Sequence, residues 1–297
     1  MSDNYVIFNP EGGLGKIIAS TAIIKAIKTK YPDHKIIVIT PWADVYLNNP
    51  NIYRIYRTMQ HPYFYKDFIM GKDSVVLKGE PYFETGHLYS KQHLIKSWCE
   101  LHDLPFSDDL KPEIFFTPVE KEFFAANIVK DRPILLMQTN GGPYDQDKPY
   151  SWTRDIHPAH AQKIVDGVAQ KYNVLHVCYE FHPQLNNCHR LDKIISKKAL
   201  FSMLAFSQKR ILIDSSLQHA AAALNLPSTV AWVATQPQIF GYDTHTNFVP
   251  KKQYAKGHID SYLYDYNFTG PAHECPYSTI DDIHDIDGIV NSVIIDG

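Results

Sequence analysis

Two polar turns carry the residue types best suited to hold an oxyanion: Gly12-Gly13-Leu14-Gly15, followed by Lys16, and Asp214-Ser215-Ser216-Leu217-Gln218-His219. Each lies between a short apolar run and a stretch of helical spacing. A strand feeding a tight turn that opens a helix presents uncommitted backbone N–H groups and the positive end of the helix dipole, a seat for phosphate. Two such seats, about 200 residues apart, imply two α/β domains facing a shared cleft.

The second turn is the more specific of the two. Ser215 or Ser216 is placed to cap a helix, and the same hydroxyls with the following N–H groups suit a diphosphate. The run Ala220 to Ala223 lets that helix lie close to its sheet. His219, one turn in, reads as packed and hydrogen-bonded rather than as a ligand contact. In the first turn, three glycines in four residues call for a sharp bend or a closely approaching ligand, but the spacing fits neither the phosphate loop nor the dinucleotide fingerprint. Thr139, Asn140 and Gly141 follow an apolar run, at the strand end where open parallel sheets bind ligands. Trp152, with Tyr150 and Arg154, has the chemistry to stack on a nucleobase or position a phosphate, or simply to anchor the next helix. His157, His160, His182 and His189 fall in one region without zinc-ligand spacing, so no metal site is expected.

The elements that must position these residues alternate between strand and helix. Residues 5–8 form a β-rich run, Ile17, Ile18, Ala22, Ile23, Ala26 and Ile27 recur at helical spacing, and 35–40 is a second apolar strand. This is a Rossmann-like βαβ opening. Residues 48–105 are rich in Tyr, Phe and His with one clear strand at 74–77, and read as loops with short elements. After a helix-like 118–129 and the punctuating Asp131-Arg132-Pro133, the grammar resumes: strands at 134–138, 174–178, 210–213 and 228–233, helices at 157–172 and 217–226. The expected domains are 1–130 and 131–297.

With 297 residues, 44% hydrophobic and 21% charged, the chain is long enough for two cores and is neither disordered nor fibrous. No apolar stretch reaches the roughly 18 residues that span a bilayer, and no cleavable signal opens the chain, so a cytoplasmic protein is expected. The formal charge of −3 supplies no global attraction to nucleic acid, though a local basic groove stays compatible with that total. Four scattered cysteines read as reduced thiols.

The segments Gly12 to Lys16, Thr21 to Lys28 with Tyr31-Pro32, and Asp214 to Pro227 together resemble the lipopolysaccharide heptosyltransferases of glycosyltransferase family 9. Lys148 to Trp152 is similar to a degraded form of the family's lysine-tryptophan segment, and the tail from Cys275 to Val293 to its terminal helix. The resemblance implies the GT-B fold, two Rossmann-like domains around a central cleft, with the acceptor on the first and a nucleoside-diphosphate-sugar on the second, and the last helix packing back on the first. It implies inverting transfer to a hydroxyl acceptor, a glycan or lipopolysaccharide-like saccharide, with no metal and no other cofactor. The leaving diphosphate then needs the amides of Ser215, Ser216 and Leu217, with Lys148, in place of a cation. The chain departs from the family where an aspartate acts as general base, because Lys16 stands there. An ammonium of ordinary pKa near ~10.4 cannot take that proton. Glu11, in the same turn, is the substitute base, and Lys16 an anion contact.

Two rivals keep the same architecture: a nucleotide-sugar epimerase, which consumes no acceptor, and a non-catalytic sugar-nucleotide or glycan-binding protein, which the missing aspartate favours. The acceptor hydroxyl stays open to protein or modified nucleic acid. Donor base, sugar and oligomeric state are not legible.

Overall fold

Residues Tyr5 to Phe8 are apolar and buried on both faces, as a central parallel strand requires, and they anchor the first sheet. The computed structural model describes residues 4–89, 92–126, 132–141, 147, 150–193, 196–251 and 275–295. It divides the chain into two units, Met1–Glu120 and Lys121–Gly297. The border expected at 130 lies outside the described residues.

The first unit runs β1 (Asn4–Phe8), α1 (Leu14–Ser20), α2 (Ile23–Lys30), β2 (Lys35–Thr40), β3 (Ile52–Arg57), α3 (Phe64–Phe68), β4 (Asp73–Leu77), α4 (Thr85–Leu88) and α5 (Leu94–Leu101), and α6 (Pro118–Ala126) straddles the border to the second. The single helix expected after the glycine turn is two. Ser20 Oγ donates to Ile17 O at 2.8 Å and Thr21 Oγ1 to Ile18 O at 2.7 Å, and such back-bonding by hydroxyls bends or interrupts a helix. The middle segment holds a second strand, β3, that the sequence reading leaves as loop. Its Tyr- and Arg-rich sequence suits an edge strand with exposed positions. All four strands are parallel, in the order β3-β2-β1-β4.

The second unit runs β5 (Ile134–Gln138), α7 (Pro158–Val168), β6 (Asn173–Val177), β7 (His189–Leu191), α8 (Lys197–Phe206), β8 (Lys209–Ile213), α9 (Ser216–Ala223), β9 (Thr229–Ala231), α10 (Pro237–Phe240), β10 (Thr246–Phe248) and α11 (Ile286–Ile294). Six parallel strands lie in the order β10-β9-β8-β5-β6-β7. Leu135, Met137, Ile164, Val165, Ile211 and Ile213 form its core. The last helix places Ile289 and Val293 in this core, and Tyr172 Oη donates to Val293 O at 2.7 Å.

Each strand order reverses once. From β1 the first unit proceeds through β2 to β3, then crosses to β4 on the other side of β1. From β5 the second proceeds through β6 to β7, then crosses to β8. Connections on opposite faces of a sheet diverge at such a reversal, leaving a crevice at the carboxyl ends of the two strands where ligands bind. Those crevices lie between β1 and β4 and between β5 and β8.

Candidate functional site

The β5/β8 reversal is tied together by Gln138, the last residue of β5, whose Nε2 donates to Ser215 Oγ at 3.2 Å and to Asn140 O at 3.0 Å. Gln138 is buried, and its Oε1 has no hydrogen-bond partner among the described residues. Ser215 stands at the N-cap position of α9 with extended backbone, but its hydroxyl makes no capping bond, so the expected cap is absent. The N–H of Gln218 closes the first turn on Ser215 O at 3.3 Å, while no bond engages the N–H of Ser216 or Leu217 among the described residues. Two unbonded amides thus stand at the positive end of a helix dipole, that of Ser216 in a half-buried residue and that of Leu217 in a buried one.

The facing loop is held by Asp155. Its carboxylate accepts from Gly141 N at 3.0 Å and Ser151 N at 2.8 Å, and burial pushes it up to about 6 despite these bonds. A side chain at Gly141 would bring its Cβ to 3.1 Å from Ser215 Oγ and 3.2 Å from Arg154 Cδ. The glycine thus lets three elements meet, and it draws the Arg154 side chain beside Ser215. Arg154 also favours the charged forms of Asp155 and Asp214. Among the residues picked from sequence, Gly141, Ser215, Ser216 and the Leu217 amide converge on this crevice. Trp152 sits in the turn just before Arg154, with its ring edge-on to Tyr277 at 6.3 Å. Lys148 lies outside the described residues.

The others turn inward. Thr139 is buried, its hydroxyl against Asn140 Oδ1 and His176 Nε2 at 2.8 and 2.7 Å. Asn140 is buried beside Asp155. Asp214 accepts from Thr235 Oγ1 at 2.5 Å, and burial raises its pKa. Gln218 is fully buried and donates to Phe240 O at 2.9 Å, and His219 Nδ1 meets Tyr242 Oη at 2.8 Å. These side chains shape the crevice floor from behind.

At the β1/β4 reversal, Gly12 adopts φ +119°, a conformation only glycine takes readily, while Gly13 is the extended N-cap of α1 and Gly15 lies in its first turn. Glu11 is half exposed and pairs with Lys78 Nζ at 3.0 Å. Lys16 does not reach outward as expected. Its stem folds against Gly12, its ammonium is buried in a pair with Glu80, and it lies 4.6 Å from the Tyr82 ring. Burial lowers its pKa, opposed by Glu80. Glu80, Asp155 and Gln138 are not among the residues picked from sequence, and Arg154 appears there only as a companion of Trp152. For Glu80 the signal available was its position just past the end of β4. Among the described residues, no group of three or more His, Cys, Asp or Glu side chains could hold a metal ion, and no helix is long and apolar enough to cross a membrane.

No family model matches the chain, and no curated protein does. Solved structures do. The chain is similar to the ADP-heptose lipopolysaccharide heptosyltransferase II of E. coli, at 14% identity and a TM-score of 0.63 over 86% of this chain and 94% of that one. It is similar to a family 9 glycosyl transferase from Veillonella parvula, at 11% identity and 0.62 over 82% and 85%. It is also similar to TibC of enterotoxigenic E. coli, an iron-containing dodecameric glycosyltransferase, at 12% identity and 0.67 over 99% and 76%. The fold is therefore that of the GT-B glycosyltransferases, with both expected Rossmann-like sheets present.

Proposed function

We propose that the protein is a glycosyltransferase that binds a nucleoside-diphosphate-sugar at the β5/β8 crevice and transfers the sugar to a hydroxyl acceptor bound at the β1/β4 edge. The observation that carries this reading is the pair of unbonded amides at Ser216 and Leu217, at the start of a helix beside Arg154, in a fold shared with heptosyltransferases. A diphosphate gathers negative charge as the glycosidic bond breaks, and oriented N–H groups, a helix dipole and a guanidinium supply the neutralisation a metal otherwise gives. Gly141 and Ser215 border the diphosphate, Trp152 stacks on the base, and Lys148 adds a second cation. Gly12, Gly13 and Gly15 admit the acceptor closely, with Glu11 at its rim. One TibC structure holds ADP-D-β-D-heptose, which supports a donor of this class.

Transfer is inverting and metal-independent in this reading. The test is a melting-temperature screen against ADP, UDP, GDP and their sugars, followed by transfer assays with and without EDTA and NMR of the product anomer. A nucleoside diphosphate that binds the folded chain raises the melting temperature by mass action. No shift with any of them sinks the assignment. Binding without hydrolysis or transfer across an acceptor panel leaves a sugar-nucleotide-binding protein.

A further inference from the structure

The β1/β4 crevice is lined with charge, and its innermost pair is unusual. Lys16, from the turn after β1, is 8% exposed, and its ammonium meets Glu80, from the turn after β4, across the strand reversal. Tyr82 and Trp98 place their rings 4.6 and 5.7 Å from the same nitrogen. Burying an ammonium is costly, and an apolar side chain of like size fills such a space with less loss. The fold also gives up freedom at position 12 for it, since any Cβ there would stand 2.9 Å from Lys16 Cδ.

What the pair produces is a fixed carboxylate. One Glu80 oxygen is held by Lys16, and the other accepts the Tyr82 N–H at 3.2 Å, while a third of the side chain stays open to the crevice. The neighbouring carboxylates differ. Glu11 and Asp44 sit in exposed pairs with Lys78 and Arg57.

We propose that Glu80 is the base that takes the proton from the acceptor hydroxyl, and that Lys16 is the positioning residue that aims it. This rests on the transferase reading. As the acceptor oxygen bonds to the anomeric carbon, the bond from that carbon to the diphosphate oxygen breaks with its electron pair on the diphosphate. The hydroxyl proton moves to a Glu80 oxygen.

The test measures nucleoside diphosphate release by the full chain from ADP-glucose, UDP-glucose, GDP-mannose and ADP-heptose, with water or added saccharides as acceptor. Glu80→Gln is expected to lower kcat roughly 100-fold, against less than about tenfold for Asp44→Asn, with the ADP- or UDP-induced melting shift intact. Formate added to Glu80→Ala restores about tenfold or more, which a purely structural glutamate would not allow. Lys16→Met lowers kcat with little change in donor KM, and Lys16→Arg recovers part of it. The inference is overturned if Glu80→Gln turns over within about threefold of wild type, or if Glu80→Ala binds donor normally yet ignores formate. A wild-type chain that binds a donor and releases nothing from it overturns the transferase reading itself, before any variant is made.

Discussion

Along the carboxyl edge of the first sheet the charged side chains come in opposite pairs, Lys16 with Glu80, Glu11 with Lys78 and Arg57 with Asp44. The edge of the second sheet holds its acids Asp155 and Asp214 buried on amide and hydroxyl donors, and keeps two unbonded helix amides at the start of α9. The difference divides the chemistry. A carboxylate held in place by its partner is aimed to receive a proton, whereas an edge of N–H groups is prepared for an incoming dianion.

The largest expected effect is acid destabilisation. His87 and His102 in the first unit, and His176 and His284 in the second, are held neutral by burial at about 4, against an ordinary 6.5. Because the folded value is depressed, the stability present above 6.5 is lost as pH falls toward 4, on the order of 3 kcal/mol for each histidine. Asp155 runs the other way. Raised to about 6 from 3.8, its contribution is full below 3.8 and fades as pH rises through 6, so it partly offsets the loss in the second unit alone. Urea denaturation from pH 4 to 7, with His284→Gln and Asp155→Asn, reads the two signs: the first variant flattens the curve and the second steepens it.

Next in size, Arg154→Gln is expected to weaken nucleoside diphosphate binding by about 30-fold, near 2 kcal/mol, with kcat falling less. Calorimetry showing unchanged affinity would remove Arg154 from the anion site. Gly12→Ala strains a φ of +119° and presses on Lys16, costing roughly 1–3 kcal/mol in urea denaturation while donor affinity holds. If affinity falls with it, the separation between the two edges fails. The smallest effect belongs to Lys78→Ala. Its pair with Glu11 is more than half exposed, so less than about 1 kcal/mol of stability is expected to go, and high salt should erase the difference.

The sequence was legible where one strand carries its own pattern. Residues 134–138 coincide with β5 and 35–40 with β2, because continuous apolar runs bounded by turns have few other uses. β3 escaped notice because an edge strand of Tyr and Arg lacks the apolar signal, and β7 and β10 because three residues cannot display a period. The serine turn was visible as a helix start, yet its hydroxyl serves Gln138 rather than the helix, since the partner comes from 77 positions earlier.

Local composition, then, settled that strands and helices alternate, that glycines bend the first turn and that Ser216 and Leu217 begin a helix. Backbone preference and apolar spacing act over a few residues, and those statements need no more. Which carboxylate meets Lys16, which residue receives Ser215 and which acids go underground were decided by strand order. Glu80 lies 64 positions from Lys16, and only the crossover that sets β4 beside β1 brings the two together.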